Sequence, residues 1–198
     1  MRKVVISEFV SLDGVMEDPG GAEGYAHGGW TFRHPDPDGM KYKLDEVMAA
    51  DAMLLGRVTY EGFAAAWPGM TDDVGFADKM NAMPKYVVST TLASADWNNS
   101  TLIAADVADA VRDLKDQPGQ EILVAGSRTL AQTLLADGLV DEYRLMIFPV
   151  ILGSGKRLFG ETTQPATMTL VDSKQLASGT MILTYHPAPA ATGGAGRG

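Results

Sequence analysis

The segment from Glu121 to Phe159, EILVAGSRTLAQTLLADGLVDEYRLMIFPVILGSGKRLF, restricts the fold more than any other stretch. Ile122-Leu123-Val124-Ala125 is a short apolar run of the kind found in strands buried on both faces. Gly126 interrupts it, and Ser127 stands where a helix N-cap belongs. Leu130, Ala131, Leu134 and Leu135 then recur at helical spacing until Gly138 ends the pattern. A second long apolar run extends from Tyr143 to Leu152 and closes in Gly153-Ser154-Gly155-Lys156. A strand that passes through glycine into a helix start aims several backbone N–H groups, and the positive end of the helix dipole, at one point. Such a point suits a phosphate.

The rest of the chain repeats this pattern. Lys3 to Val10 reads as a first strand, with Ser11-Leu12-Asp13-Gly14 turning out of it. A Gly-, Pro- and Asp-rich loop continues to Gly39 and holds Tyr25, His27, Trp30, Phe32 and His34. Loops this long in a compact domain are usually lids or binding loops. Asp36 and Asp38 flank Pro37 ahead of an amphipathic helix expected over Met40 to Ala50, with Leu44, Val47 and Met48 inward. Ala52 to Leu55 is a buried strand, Gly56-Arg57-Val58-Thr59 a second strand-to-helix turn, and Tyr60 to Trp67 a short helix stopped by Pro68. A polar, Met-rich connection leads to the strand Lys85 to Val88, which ends in Ser89-Thr90-Thr91. Thr101 to Ile103 is a short strand, and Asp106 to Lys115 a helix with Val107, Val111 and Leu114 on its apolar face. Thr167 to Ser173 and Thr180 to His186 read as an antiparallel hairpin.

Strands alternating with helices imply an α/β domain with a largely parallel sheet, covered on both faces, of about eight strands. The domain spans residues 1–186, and the small, apolar-poor residues 187–198 are expected to be a disordered tail. In such sheets ligands bind beyond the carboxyl ends of the strands, which places the turns at 56–59, 89–91 and 126–127 along one rim.

Sixteen Lys+Arg against 25 Asp+Glu give a net charge of −9, which argues against nucleic-acid and anionic-membrane partners and leaves a small molecule. The absence of cysteine removes disulfides, thiolate nucleophiles and sulfur-ligated metals, and fits a cytoplasmic protein. The N-terminal apolar run is too short and interrupted for a signal peptide, and no stretch has the length of a transmembrane helix. His27, His34 and His186 lack metal-ligand spacing. The final hairpin and Leu145 to Ile151 offer edges through which a homodimer is expected to pair.

Three strand ends rich in Gly, Ser, Thr and Arg form a polyanion cradle, in which the Arg57 guanidinium would fork onto phosphate oxygens. The alternative is that Gly56 and Gly126 only permit tight turns and Arg57 is a solvated surface charge. Trp30 and Phe32 either roof a pocket, stacking on a flat substrate, or staple the loop down. Lys156 and Arg157 are either phosphate ligands or solvated loop charges.

Leu55-Gly56-Arg57-Val58-Thr59-Tyr60-Glu61 resembles the Gly-Arg-x-Thr-x-Glu turn of the dihydrofolate reductase fold, and Val88-Ser89-Thr90-Thr91 resembles that fold's second dinucleotide turn. Ala125 to Leu130, Gly138 to Glu142, Pro149 to Gly153 and Ser11-Leu12-Asp13-Gly14 resemble the reductase domain of the bifunctional riboflavin-biosynthesis deaminase/reductase. The similarity extends over nearly the whole chain to residue 186. It implies a three-layer dihydrofolate-reductase-like fold, with a mostly parallel mixed sheet and a C-terminal antiparallel hairpin, and an NADPH-dependent reductase. Gly56, Arg57 and Thr59 would hold the adenosine 2′-phosphate or the pyrophosphate, with Ser89 and Thr90 beside the 2′-phosphate. Gly126, Ser127, Arg128, Thr129 and Leu130 would cradle the pyrophosphate, and Phe148 to Leu152 would line the cleft near the nicotinamide. An arginine facing the extra phosphate favours NADPH over NADH.

The chain departs from the riboflavin reductase in two places: Val15 stands where a basic residue is usual, and Val124 where a substrate glutamate is usual. The deaminase domain's zinc signature is impossible without cysteine. Both departures tell against a phosphoribosylamino-pyrimidine substrate; the resemblance implies a flat nitrogen heterocycle or a ribosylamino-pyrimidine as acceptor, and the alternative is a nucleotide-binding or sensory protein that kept the cradle and lost turnover. Hydride transfer asks the protein mainly for alignment in a dry pocket, plus one carboxylate that supplies or stabilises a proton. Asp13 is the candidate, with Glu17 and Asp18 behind it; Asp-Gly is also the commonest turn dipeptide.

Overall fold

The computed structural model describes residues 1–160 and 165–188, so nearly all of the expected tail lies outside the described residues. The strands are β1 (Lys3–Ser11), β2 (Ala50–Gly56), β3 (Lys85–Val88), β4 (Ser100–Ile103), β5 (Glu121–Ala125), β6 (Glu142–Phe148), β7 (Met168–Gln175) and β8 (Met181–Pro187). The α-helices are α1 (Pro37–Ala49), α2 (Arg57–Ala66), α3 (Phe76–Ala82), α4 (Val107–Asp116) and α5 (Arg128–Ala136). All the strands belong to one sheet of order β4-β3-β2-β5-β1-β6-β8-β7. The first six are mutually parallel, and β8 pairs antiparallel with β6 and with β7.

Each face of the sheet has its own core. Val4, Ile6, Ile122 and Val124 pack under α4 and α5, against Val111, Leu114, Leu130 and Leu134. Val5, Met53, Leu55 and Leu123 pack under α1, α2 and α3, against Val47, Tyr60 and Met80. The chain therefore leaves β5 for the opposite face from the one taken after its neighbours β1 and β2. Strands whose connections diverge in this way leave a crevice at their carboxyl ends, where ligands of such sheets sit.

Four local expectations are corrected. Helix α1 begins at Pro37 and not Met40, because Asp36 caps it: Asp36 Oδ1 accepts from the Asp38 and Gly39 amides at 3.0 and 3.3 Å, with proline in the first turn. On that helix Val47 is buried but Met48 is exposed, and Glu46 faces the sheet instead. The Met-rich connection contains α3, whose start is capped by Asp72 accepting from Val74, Phe76 and Ala77, and whose buried residues are only Ala77 and Met80. The run Leu145 to Ile151 offers no edge, since β6 is hydrogen-bonded to β1 on one side and β8 on the other.

Lys85 opens β3 fully buried. Its ammonium donates to the carbonyls of Asn81, Met83 and Asn98 at 3.0, 2.8 and 3.0 Å and lies 4.0 Å from the centre of the Trp97 ring. The charge ties the end of α3 to the loop before β4, and burial pulls its pKa down to about 8.

Candidate functional site

The turns after β2 and β5 meet. The Gly56 amide donates to Ser127 Oγ at 2.7 Å, and Ser127 Oγ donates to Thr59 Oγ1 at 2.9 Å. The contact is close enough to need glycine on both sides. A Cβ on Gly56 would stand 2.7 Å from Ser127 Oγ, and one on Gly126 would stand 2.8 Å from Thr59 Oγ1. Gly126 and Ser127 are both left-handed, at φ 74° and 71°. For serine that conformation is strained, and here the hydroxyl's two bonds across the turn offset it.

Ser127 occupies the N-cap position of α5, yet its hydroxyl spans to the neighbouring turn and does not cap the helix. Helix α2, with Gly56 at its N-cap, has no side-chain cap either. Two helix starts with uncapped amides thus open side by side on the rim, and their dipoles favour an anion there. Arg57, the first residue of α2, is half-exposed and pairs with Glu61 at 2.8 Å. Ser89 lies beside this turn, since Gly56 and Val88 are register partners, but its hydroxyl accepts from the Thr91 and Leu92 amides at 3.1 and 2.9 Å. Thr90 and Thr129 are exposed on the same rim.

A further set of bonds joins the β5 turn to the first turn of the chain. Arg128 Nε donates to the Arg157 carbonyl at 2.8 Å, and Arg157 Nε donates to the Asp13 carbonyl at 2.8 Å. Residues 152–158 lie antiparallel to residues 13–17 through the Val15–Arg157 bridge, with Lys156 paired to Glu17 at 2.8 Å. The donors along the rim, two arginines, several hydroxyls and uncapped amides, are those that hold a polyanion, and the glycine approach leaves their backbones unshielded.

The family model of the RibD C-terminal domain matches residues 2–182. The chain belongs to the RibD C-terminal domain family. It is 30% identical over 188 residues to the uncharacterised protein YyaP of Bacillus subtilis, covering 93% of this chain and 95% of that one. Among solved structures, one described as a riboflavin biosynthesis protein of Shewanella sp. PV-4 superposes with a TM-score of 0.75 at 22% identity, covering 94% of this chain and 99% of that one. A dihydrofolate reductase of Enterococcus faecalis, complexed with NADP(H), superposes at 0.58 with 13% identity, covering 94% of this chain and 97% of that one. The fold is dihydrofolate-reductase-like, and the family supports a reductase-type function.

In this member of the RibD C-terminal domain family, Asp13 is a clasp. Its carboxylate accepts from Ser11 Oγ at 2.7 Å and from the Leu152 and Gly153 amides at 3.1 and 2.8 Å. The Ser11 hydroxyl, with help from those amides, pulls its pKa down to about 2. An acid that strong is ionised at neutral pH, so Asp13 can stabilise a cation but cannot supply a proton there. Glu17 is likewise held below its ordinary range by Lys156. Asp18, buried, accepts from the Glu23 and Tyr25 amides at 3.0 and 3.1 Å and organises the long loop.

Trp30 is a staple and not a stacking platform. It is fully buried, its indole N–H donates to the Glu17 carbonyl at 2.9 Å, and its ring meets Phe148 edge-on with centroids 5.3 Å apart. Phe148 and Leu130 also turn their side chains into cores, which leaves only their backbones to a ligand. Phe32, by contrast, is 73% exposed.

Glu8 belongs to no motif that marks it in the sequence. It lies on β1 beside the Gly126 turn, and its Oε1 has no hydrogen-bond partner among the described residues. The available signal is an acidic residue within a mostly apolar strand, between Ile6 and Phe9. Among the described residues no group of His, Asp and Glu could hold a metal ion, and no helix is long and apolar enough to cross a membrane.

Proposed function

We propose that the chain is an NADPH-dependent reductase that passes a hydride to a small heterocyclic or ribosylamino-pyrimidine acceptor. The observation that carries this reading is the Gly56–Ser127–Thr59 junction, which brings two uncapped helix starts together between Arg57 and Arg128. Main-chain amides at that junction would hold the pyrophosphate, and Arg57 would read the 2′-phosphate. To do so Arg57 must leave Glu61, and an ion pair this exposed is worth only about 0–1 kcal/mol. NADPH would supply the hydride; the protein's part is to align the acceptor and exclude water.

The test is a titration of the wild-type protein and Arg57→Ala with NADPH and with NADH. Arg57→Ala is expected to weaken NADPH by tenfold or more and NADH by less than threefold. Equal losses would show that Arg57 does not read the 2′-phosphate. The engagement of Asp13 favours a second reading, a nucleotide-binding or sensory protein without turnover, because no free acid stands at the first turn. Single-turnover oxidation of bound NADPH with pterin and ribosylamino-pyrimidine acceptors separates the two: consumption supports the reductase, and tight binding without consumption supports the binder.

A further inference from the structure

Glu8 is 6% exposed and is the register partner of Leu145 on β6. Strand alternation puts it on the face of Val4, Ile6 and Val10, beneath α4 and α5, where the neighbours are apolar. The pairing of β1 with β5 ends at Ser7 and Ala125. Glu8 is therefore the first residue of β1 beyond the end of β5, at the step where the chain leaves through Gly126.

The charged groups that act on Glu8 are Lys43 and Glu46 of α1, across the strand on the opposite face, where they engage Ser7, and the Gly126 backbone amide acts on its carboxylate from the β5 turn. Lys43 is already engaged by Glu46 at 2.5 Å and by Ser7 Oγ at 2.7 Å. Glu8 makes no ion pair among the described residues, and its Oε1 is unpartnered. Burial pushes the carboxyl up from 4.5 to about 8, against the pull of Lys43 and of the Gly126 amide, while Glu46 raises it further. Glu8 is thus neutral at pH 7 and becomes a buried carboxylate in mild alkali.

The Gly126 amide belongs to the same turn that faces an anion at the start of α5. A carboxylate at Glu8 competes for that amide and sets a negative charge directly behind the anion's seat, in surroundings that screen it poorly. A neutral carboxyl does neither. We propose that Glu8 is a positioning residue of the anion cradle, whose side chain must carry a proton for the Gly126 turn to take the phosphates of a dinucleotide. The proposal rests on the nucleotide-binding reading above and adds a proton linkage to it.

The experiment measures dissociation constants for NADPH and for inorganic pyrophosphate by calorimetry from pH 6.5 to 9.5, on the wild-type protein, Glu8→Gln and Lys43→Met. Titration of the probe's own phosphates is common to all three proteins, so the ratio of wild-type to Glu8→Gln constants is the readout. That ratio is expected to stay flat below pH 7.5 and to rise about tenfold per pH unit above pH 8. Lys43→Met removes the cation that pulls the carboxyl down, so its loss of affinity is expected to begin at higher pH than in the wild type. A ratio that stays constant across the range, or a Lys43→Met profile that begins at the wild-type pH, overturns the role of Glu8 while leaving the nucleotide site standing. If neither probe binds the folded wild-type protein at pH 6.5, the nucleotide reading and this inference fall together.

Discussion

Replacing Gly126 with alanine imposes two separable strains on the junction of the β2 and β5 turns. The backbone there sits at φ 74°, and a non-glycine residue in the left-handed region costs about 1–2 kcal/mol. The new Cβ would also lie 2.8 Å from Thr59 Oγ1 and 2.9 Å from Thr59 Cγ2, an overlap that costs about 1–3 kcal/mol to relieve. Gly126→Ala should therefore destabilise by roughly 2–5 kcal/mol. Gly138 isolates the first strain, because its φ is 64° and nothing lies within 4 Å of a Cβ built on it, so Gly138→Ala should cost only about 1–2 kcal/mol. Thr59→Ala isolates the bond to Ser127, at about 0.5–1.5 kcal/mol. In the double variant the nearest overlap is gone, so the two costs should fall short of additivity by about 1–3 kcal/mol. Urea unfolding of the wild-type protein and the four variants gives these values, provided the midpoints move and the slopes do not. Additive costs within about 0.5 kcal/mol, or equal costs at Gly126 and Gly138, would refute the close approach of the two turns.

Two further outcomes are expected. Stability should fall as pH rises from 5 to 8, because Glu8 in the folded state holds a proton that the unfolded chain has already released; a shift from 4.5 to about 8 bounds the effect at roughly 4–5 kcal/mol. Above pH 8 the slope should reverse as Lys85, lowered to about 8, lets its proton go before the unfolded chain does. Below pH 4 stability should fall again as Asp13, lowered to about 2, is protonated. Urea midpoints taken across this range check all three limbs, and a flat profile between pH 5 and 8, or one unchanged in Glu8→Gln, would contradict the first. Trp30→Ala should cost about 3–5 kcal/mol through the cavity it leaves, whereas Trp30→Phe should be milder and leave NADPH affinity within twofold. A tenfold loss of affinity in a stable Trp30→Phe protein would restore a stacking role to that ring.

What the chain discloses before folding is what repeats or terminates. The buried strands at 52–55 and 122–125 announce themselves as apolar runs, and the Gly, Ser and Thr residues that end them and the strand 85–88 place the rim. Pairings between distant side chains leave no such trace. Ser127 reads as a helix cap by position, and only the approach of β2 turns its hydroxyl toward Gly56. Glu46 falls on the polar side of a helical pattern, yet Ser7, Lys43 and Arg144 bring it inward. Trp30 sits in a Gly-rich loop where either fate was open, and the cavity formed by Phe148, Met146 and Leu176 decided it. Helix α3 escaped notice because seven residues with two buried positions carry too little periodicity to register.

The strand β7 ends the sheet with eight residues, nearly all in solvent, and with Leu170 and Val171 uncovered. Open flanks of this kind invite stray strands to dock and seed fibrils. Here the ladder to β8 slips between Leu170 and Asp172, and the stretch beyond the slip carries Asp172 and Lys174. An incoming peptide would meet a kink and then two opposite charges within three residues. The other flank, β4, is only four residues long. Neither side of the molecule gives a foreign backbone a long, uncharged template to copy.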